Sequence, residues 1–262
     1  MAEERNDGRR KFLTRAGASL GLLGVGLAGC SRLSEKRWVS DLLHEVEHLT
    51  RRAQRLFAGG HALAPEFSKA DIAPVFRANG TLRPEGENYS SHAANGFKNW
   101  KIPVMGLVER PLLLTLDALK AFPARTQITR HDCVEGWSCI GQWKGTPLAS
   151  VLAAAKPKAA ARYVVFYCAD NMAGPEEVPQ LYYESLDLLE ATHPQTILAY
   201  ELNERPLPIA NGAPVRLRAE RQLGYKMAKY INKIELVSAL DGIGGGRGGY
   251  WEDQGYSWYA GI

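Results

Sequence analysis

Arg130-His131-Asp132-Cys133-Val134-Glu135-Gly136-Trp137-Ser138 places one cysteine among polar residues at the end of a β-prone run, just before a Gly/Trp turn. A thiolate presented on such a loop serves as a nucleophile, a redox thiol or a soft metal ligand. The fold reading follows from what surrounds this stretch. Tyr163–Cys168, Ile197–Leu202, Val215–Arg218 and Lys233–Val237 are rich in β-branched and aromatic residues and read as strands. Between them, Thr115–Ala121 reads as a short helix with Thr115 or Asp117 at its cap. Pro147–Ala155 reads as another with a first-turn proline, and Leu186–Ala191 as a third. Strands separated irregularly by short helices and many Gly and Pro breaks predict an α+β domain over residues 66–262, not a regular βαβ series.

Composition narrows the function. The 262 residues are 45% hydrophobic and 23% charged, ordinary for a globular domain, and the net charge is only +4. No basic stripe interleaved with aromatics is present, so no nucleic-acid partner is expected. Gly244-Gly245-Gly246-Arg247-Gly248-Gly249 has glycines spaced as in a dinucleotide loop, but no helix pattern follows; it reads as a flexible or tightly turned loop. The tail from Gly242 is too rich in glycine and aromatics for regular helix or strand. No Walker loop, zincin pair, nucleophile elbow, CxxC or CxxCH occurs, which weakens the nucleotide, hydrolase, zinc and haem readings.

The first 29 residues read as an export signal. Arg9-Arg10-Lys11-Phe12-Leu13 precedes an apolar run, Ala16–Gly29, that is well short of the roughly 20 residues a spanning helix needs. Paired arginines before Phe-Leu fit a twin-arginine signal, and a basic head for ordinary secretion is the alternative. Leu27-Ala28-Gly29-Cys30 resembles a lipobox, which would tether the mature chain to a membrane surface through Cys30; it also fits a plain small-residue cleavage region. Either way the expected destination is outside the cytoplasm. Residues 30–65 then form a tether with an amphipathic helix, because Trp38, Leu42, Val46, Leu49, Ala53 and Leu56 recur at helical spacing and Gly59-Gly60 closes the pattern. With Cys30 assigned to lipid, Cys133, Cys139 and Cys168 remain, an odd count that leaves at least one working thiol. A Cys133–Cys139 bridge, or pairing of Cys139 with Cys168, stays open.

The stretch Cys133-Val134-Glu135-Gly136-Trp137-Ser138 resembles the metal-binding motif of the sulfite oxidase family of molybdopterin enzymes, in the form found in bacterial periplasmic methionine sulfoxide reductases. The resemblance runs from about Phe76 to Glu235. Phe76-Arg77-Ala78-Asn79-Gly80 is similar to the family's Phe-x-x-Asn cofactor segment, and Trp100–Leu114 to the strand pair that follows it. Asn211-Gly212-Ala213-Pro214-Val215-Arg216-Leu217 and Gly224-Tyr225-Lys226-Met227-Ala228-Lys229 match its cofactor loops. The resemblance implies a mixed-sheet molybdopterin domain holding molybdenum with one pterin, with Cys133 as the protein's sulfur ligand. Asn79, Cys168, Asn211, Arg216, Met227, Ala228 and Lys229 fall at cofactor contacts, although Cys168 stands where the reductases carry threonine. His131, Asp132 and Tyr225 fall near metal or substrate. Chemistry supports these residue types: a pyranopterin has polar rings and a phosphate, met by amides, an arginine fork and a lysine charge. Taken singly, Arg216 also reads as an ordinary strand charge and Lys226 and Lys229 as a solvated face.

The activity implied is two-electron oxygen-atom transfer on a small or protein-bound S- or N-oxide, with electrons from a membrane haem b protein or a cytochrome. Sulfite oxidation is the alternative, and Cys168 together with the unmatched Gly/Trp/Tyr tail, expected to help shape the pocket, stands against methionine sulfoxide itself as the substrate. The chain runs only a short way past the last matched strand, so the immunoglobulin-like domain usual in sulfite oxidases is not expected. A binding lipoprotein, or a thiol-redox protein using Cys133 and Cys139, are the readings from other classes.

Overall fold

The computed structural model describes residues 62–174 and 177–262, together with Val46, Leu49, Thr50, Arg52 and Ala53. The chain divides into two compact units, Met1–Arg55 and Leu56–Ile262. In the first, the five described residues are helical, and the Thr50 hydroxyl donates to the Val46 carbonyl at 2.9 Å. The export signal, the lipobox and the rest of the tether helix lie outside the described residues. Among those described, no helix is long and apolar enough to cross a membrane.

The second unit is built on two five-stranded sheets. The first runs β2 (Leu112–Thr115), β1 (Lys101–Gly106), β10 (Ile231–Val237), β5 (Tyr163–Asn171) and β6 (Leu181–Asp187). Its β1–β10 pair is parallel, Val104 opposite Ile234, and its other pairs are antiparallel. The second sheet runs β3 (Arg125–Asp132), β4 (Ser138–Pro147), β7 (Ile197–Leu202) and β8 (Arg205–Pro206), with β9 (Arg216–Arg218) also paired to β7. This is the α+β arrangement of mixed sheets and short helices that the sequence predicts.

The helices are short because strands and turns claim their ends. After α1 (Glu87–Ala94) comes α2 (Leu116–Lys120), where the Thr115 hydroxyl accepts from the Ala118 N–H at 3.1 Å, so Thr115 rather than Asp117 is the cap. In α3 (Leu148–Ala155), Leu148, Val151, Leu152 and Ala155 are buried at helical spacing, which turns one apolar stripe into the main core. Pro147 stands one position before that helix as the last residue of β4, not inside its first turn. The expected helix at Leu186 begins later, as α4 (Leu188–Ala191), because Leu186 pairs with Val164 in the sheet and Asp187 caps the Glu190 N–H at 3.0 Å. The tail corrects its sequence reading in part: it is tightly turned, yet it forms one turn of helix, α5 (Tyr250–Asp253).

Strand β3 positions the cysteine. Its inward residues are polar: Gln127, Thr129 and His131 are all at most 1% exposed. Strand alternation carries that inward face two residues further, to Cys133. Gln127 Nε2 donates to Glu220 at 2.7 Å and to the Gln195 carbonyl at 3.0 Å, so this face leads into a buried polar network, not into oil.

Candidate active site

Asp132 pairs with Ser138 across the β3–β4 hairpin, so Cys133–Trp137 is its loop and Cys133 the first loop residue. The Cys133 N–H donates to the Trp137 carbonyl at 2.9 Å, and the Gly136 N–H to the Cys133 carbonyl at 3.0 Å. Gly136 has a φ of +82°, which glycine adopts without a Cβ penalty. The thiol is 9% exposed. Burial pushes it up, while the backbone N–H groups of Glu135 and Val134 and the charge of Arg77 favour the thiolate. Cys133, Cys139 and Cys168 are separate buried thiols, so neither disulfide left open by the sequence is formed.

Cys133 opens onto a cavity of about 160 Å³. Asn79, Tyr225, Met227 and Lys229 line it too, as expected, and so do Thr81, Asp170 and Tyr182, which sequence reasoning missed, and Trp251 and Tyr256 of the tail that was expected to help shape the pocket. Met227 and Lys229 come from the loop between the 3-10 turn Gly224–Lys226 and β10. A Cβ on Gly224 would lie 2.5 Å from the His131 ring, so that turn packs directly on the hairpin that carries Cys133.

The other expected residues stand around the cavity without lining it. His131 is fully buried; Arg218 approaches its Nδ1 at 2.9 Å and Met227 Sδ at 3.4 Å. Burial first, then Arg218, Arg216 and Lys229, hold its pKa well below the usual value, so the ring is neutral. Arg216, 0% exposed, donates to the Asn211 carbonyl at 3.0 Å and the Met227 carbonyl at 3.3 Å. Its guanidinium and that of Arg218 lie 5.1 and 4.5 Å from the centre of the Trp143 ring. Ala228 is buried, with its carbonyl accepting from Leu217 at 2.7 Å. Cys168 sits fully buried in the main core, opposite Ile231, and it is Asp170, two residues on along β5, that reaches the cavity. Asp132 is taken up by Arg130 and Ser138.

Lys229 and Lys226, which a solvated face would expose, are both buried. Lys229 Nζ donates to the carbonyls of Asn79 at 2.7 Å, Ala210 at 3.0 Å and Thr81. Burial and the charge of Arg216 push its pKa down to about 7. Lys226 is clamped between the carboxylates of Glu184 and Glu252. Among the described residues, neither Arg216 nor Lys229 joins an ion pair; Arg218 is matched by Glu220. Asp170 is 4% exposed, and burial pushes it up to about 6 against the opposing pull of Lys229 and the Thr81 hydroxyl.

This arrangement defines a class: a pocket for an anionic, polar-ringed group held beside a thiol. Buried cations without carboxylates are costly unless an anion joins them. Buried polar atoms of Asn79 (Oδ1), Asn211 (Nδ2), Arg216 (Nε), His131 (Nε2) and Asp170 (Oδ1) also lack partners, as donors and acceptors awaiting a ligand would. The residues present therefore fit a molybdopterin phosphate and ring, with Cys133 as a soft ligand for molybdenum.

Residues 90–241 match the family of the oxidoreductase molybdopterin binding domain. The chain is 36% identical over 253 residues to the "Putative protein-methionine-sulfoxide reductase subunit YedZ1" of Azospira oryzae, covering 97% of this chain and 87% of that protein. It is 39% identical over 150 residues to the protein-methionine-sulfoxide reductase catalytic subunit MsrP of Xanthomonas campestris, and 37% over 147 residues to that of Campylobacter jejuni. Those matches cover 54% and 53% of this chain and 46% and 50% of the two relatives, so they span about half the length of each. Among solved structures, the sulfane dehydrogenase SoxCD of Paracoccus pantotrophus superposes with a TM-score of 0.52 at 19% identity, over 68% of this chain and 46% of that one, a likeness of fold alone. The chain belongs to the molybdopterin-binding oxidoreductase family, and its cofactor is molybdopterin-bound molybdenum.

Proposed function

We propose that this protein is an oxygen-atom-transfer enzyme that reduces a sulfoxide, or a related S- or N-oxide, with electrons delivered by a membrane haem b protein or a cytochrome. The observation that carries the proposal is one cavity lined by the Cys133 thiol, the Lys229 ammonium and the protonatable Asp170, with the fully buried Arg216 behind it. The relatives named as methionine sulfoxide reductase subunits support the substrate class. Bound beside Cys133, molybdenum supplies two-electron redox chemistry coupled to oxygen transfer.

The chain's own residues bind, orient and manage protons. Cys133 would supply the sulfur ligand; burial holds its thiol above the ordinary value, and the N–H groups of Glu135 and Val134 work against that rise. Arg216 and Lys229 would hold the pterin phosphate, and Asn79, Asn211, Met227 and Ala228 would border its polar ring. Cys168 and His131 act from behind as packing that fixes β5 and the hairpin, and Tyr225 is oriented by donation to the Ser257 carbonyl at 2.6 Å. Reducing a sulfoxide to a sulfide consumes two electrons and two protons and releases one water. Asp170 Oδ1 holds one of those protons at the cavity wall, facing Lys229 and Thr81.

The proposal places the enzyme in the periplasm, exported by the twin-arginine route and tethered through a lipid on Cys30, near its electron partner. Sulfite oxidation is the second reading, because the Lys229 ammonium on the cavity wall also suits a small oxyanion. Assay of the cofactor-loaded protein separates them. Methionine sulfoxide turnover with a reduced viologen donor is expected, and turnover of sulfite alone, with a cytochrome acceptor, would overturn the order.

A further inference from the structure

The match to the family domain ends at residue 241, yet Trp251 and Tyr256 line the cavity that Cys133 opens onto. Their rings stack with centroids 5.3 Å apart and planes 22° apart, and Tyr256 meets the Tyr225 ring edge-on at 5.3 Å. Both ends of the segment are anchored. Asp253, between the two stacked residues in the chain, ties them to the segment's start: it accepts the Tyr183 hydroxyl and the N–H groups of Gly245 at 2.7 Å and Arg247 at 3.0 Å. Glu252, fully buried, shares Lys226 with Glu184 of β6. After it, Trp258 Nε1 donates to Ser185 Oγ at 2.8 Å, and the Leu223 N–H donates to the Ala260 carbonyl at 2.9 Å. The tail is thus a built wall, fixed to β6 and to the cofactor loop.

The chemistry of this wall differs from that of the rest of the cavity. Lys229, Asp170 and Cys133 give the cavity charged and polar groups, while the stacked Trp251 and Tyr256 rings add a polarizable apolar face to its lining. Sulfur and carbon substituents pack favourably against aromatic rings, and a carbon-free oxyanion has nothing to place there. We infer that Trp251 and Tyr256 are the specificity-determining wall of the cavity, taking the hydrocarbon flank of an organic sulfoxide while its S–O group lies toward Cys133. This rests on the sulfoxide reading above and narrows it to oxides that carry an apolar substituent.

Calorimetric titration of the cofactor-loaded protein tests it with two ligands: methyl phenyl sulfone, an isostere with no turnover, and sulfate, an oxyanion without carbon. In Trp251→Ala and Tyr256→Ala the sulfone Kd is expected to weaken at least tenfold and the sulfate Kd to stay within twofold, with Trp251→Phe recovering most of the sulfone affinity. Tyr256, 37% exposed, tolerates truncation and decides the matter if Trp251→Ala fails to fold. No sulfone binding by the wild type, an unchanged sulfone Kd in Tyr256→Ala, or equal weakening of both ligands overturns the inference. Wild-type turnover of methyl phenyl sulfoxide is scored separately. Selective loss of sulfone binding without any turnover would keep the wall and remove the reaction, and turnover with an unaltered sulfone Kd would do the reverse.

Discussion

At the scale of single residues, charge placement governs the site. Arg216 donates to two carbonyls and, among the described residues, faces no carboxylate partner. Its truncation therefore removes the phosphate's planar fork, and Arg216→Ala is expected to lower molybdopterin per folded chain at least tenfold. Arg216→Lys should recover little, since a point charge does not reproduce a fork; pterin extraction and quantification reads both. Lys229 makes a pH prediction. With its pKa pushed down to about 7, it is mostly neutral at pH 8, and a phosphate beside it restores the charge. Cofactor binding at pH 8 should take up close to one proton, and at pH 6 almost none, read by calorimetry in buffers of different ionisation enthalpy. Asp170 works the other way. A carboxyl pushed up to about 6 donates below that pH and loses its proton as pH rises through it, so kcat/KM should fall above pH 6 in the wild type. In Asp170→Asn that limb should vanish with an overall loss of about 10²-fold or more. Asn79, Cys133, Met227 and Lys229 were legible because each sits in a contiguous stretch whose residue types suit a phosphate, a pterin or a metal. Asp170 was not, because only the pairing of β5 with β10 brings it beside Lys229. Its signal, two positions beyond Cys168 on one strand face, was present but had no motif to mark it.

Elements deliver these residues to one place, and their contacts show how little slack exists. A Cβ on Gly224 would meet His131 at 2.5 Å, which neither the hairpin nor the 3-10 turn can yield without moving Cys133 or Met227. Gly224→Ala should destabilise the protein by about 1–3 kcal/mol, the usual range for overpacking. That is a fall of several degrees in Tm for a domain of this size, with lower cofactor retention measured on the same sample. Strand bounds were readable where β-branched residues run on, as in β7, whose ends coincide with the expected Ile197–Leu202. They were less readable where polar residues face inward. Strand β3 buries Gln127, Thr129 and His131, and Gln127 and His131 meet Glu220 and Arg218, more than eighty residues away in sequence. Nothing local announces such partners.

For the molecule as a whole, the tail and the cofactor loop share one ionic latch. Lys226 lies between Glu184 and Glu252, and burial together with the second carboxylate raises the Glu184 pKa well above its usual value. Breaking a buried pair costs about 3–5 kcal/mol, so Lys226→Met should lower Tm by roughly 10 °C. A carboxyl whose folded pKa is raised loses stability as pH rises, so this defect should shrink on acidification, which a Tm series against pH checks. A pocket-shaping tail was expected, but which of its aromatics reach the cavity was beyond sequence reading, because glycine-rich, aromatic segments have no period to follow. The central claim joins these scales: the Cys133 thiolate is the protein's ligand to molybdenum in a pocket charged for the pterin. The most direct measurement is metal and pterin content together with the molybdenum sulfur count by X-ray absorption, on wild type and Cys133→Ser. Near one molybdenum per chain, with one sulfur fewer in the variant, is the predicted result; an unchanged sulfur count would contradict it.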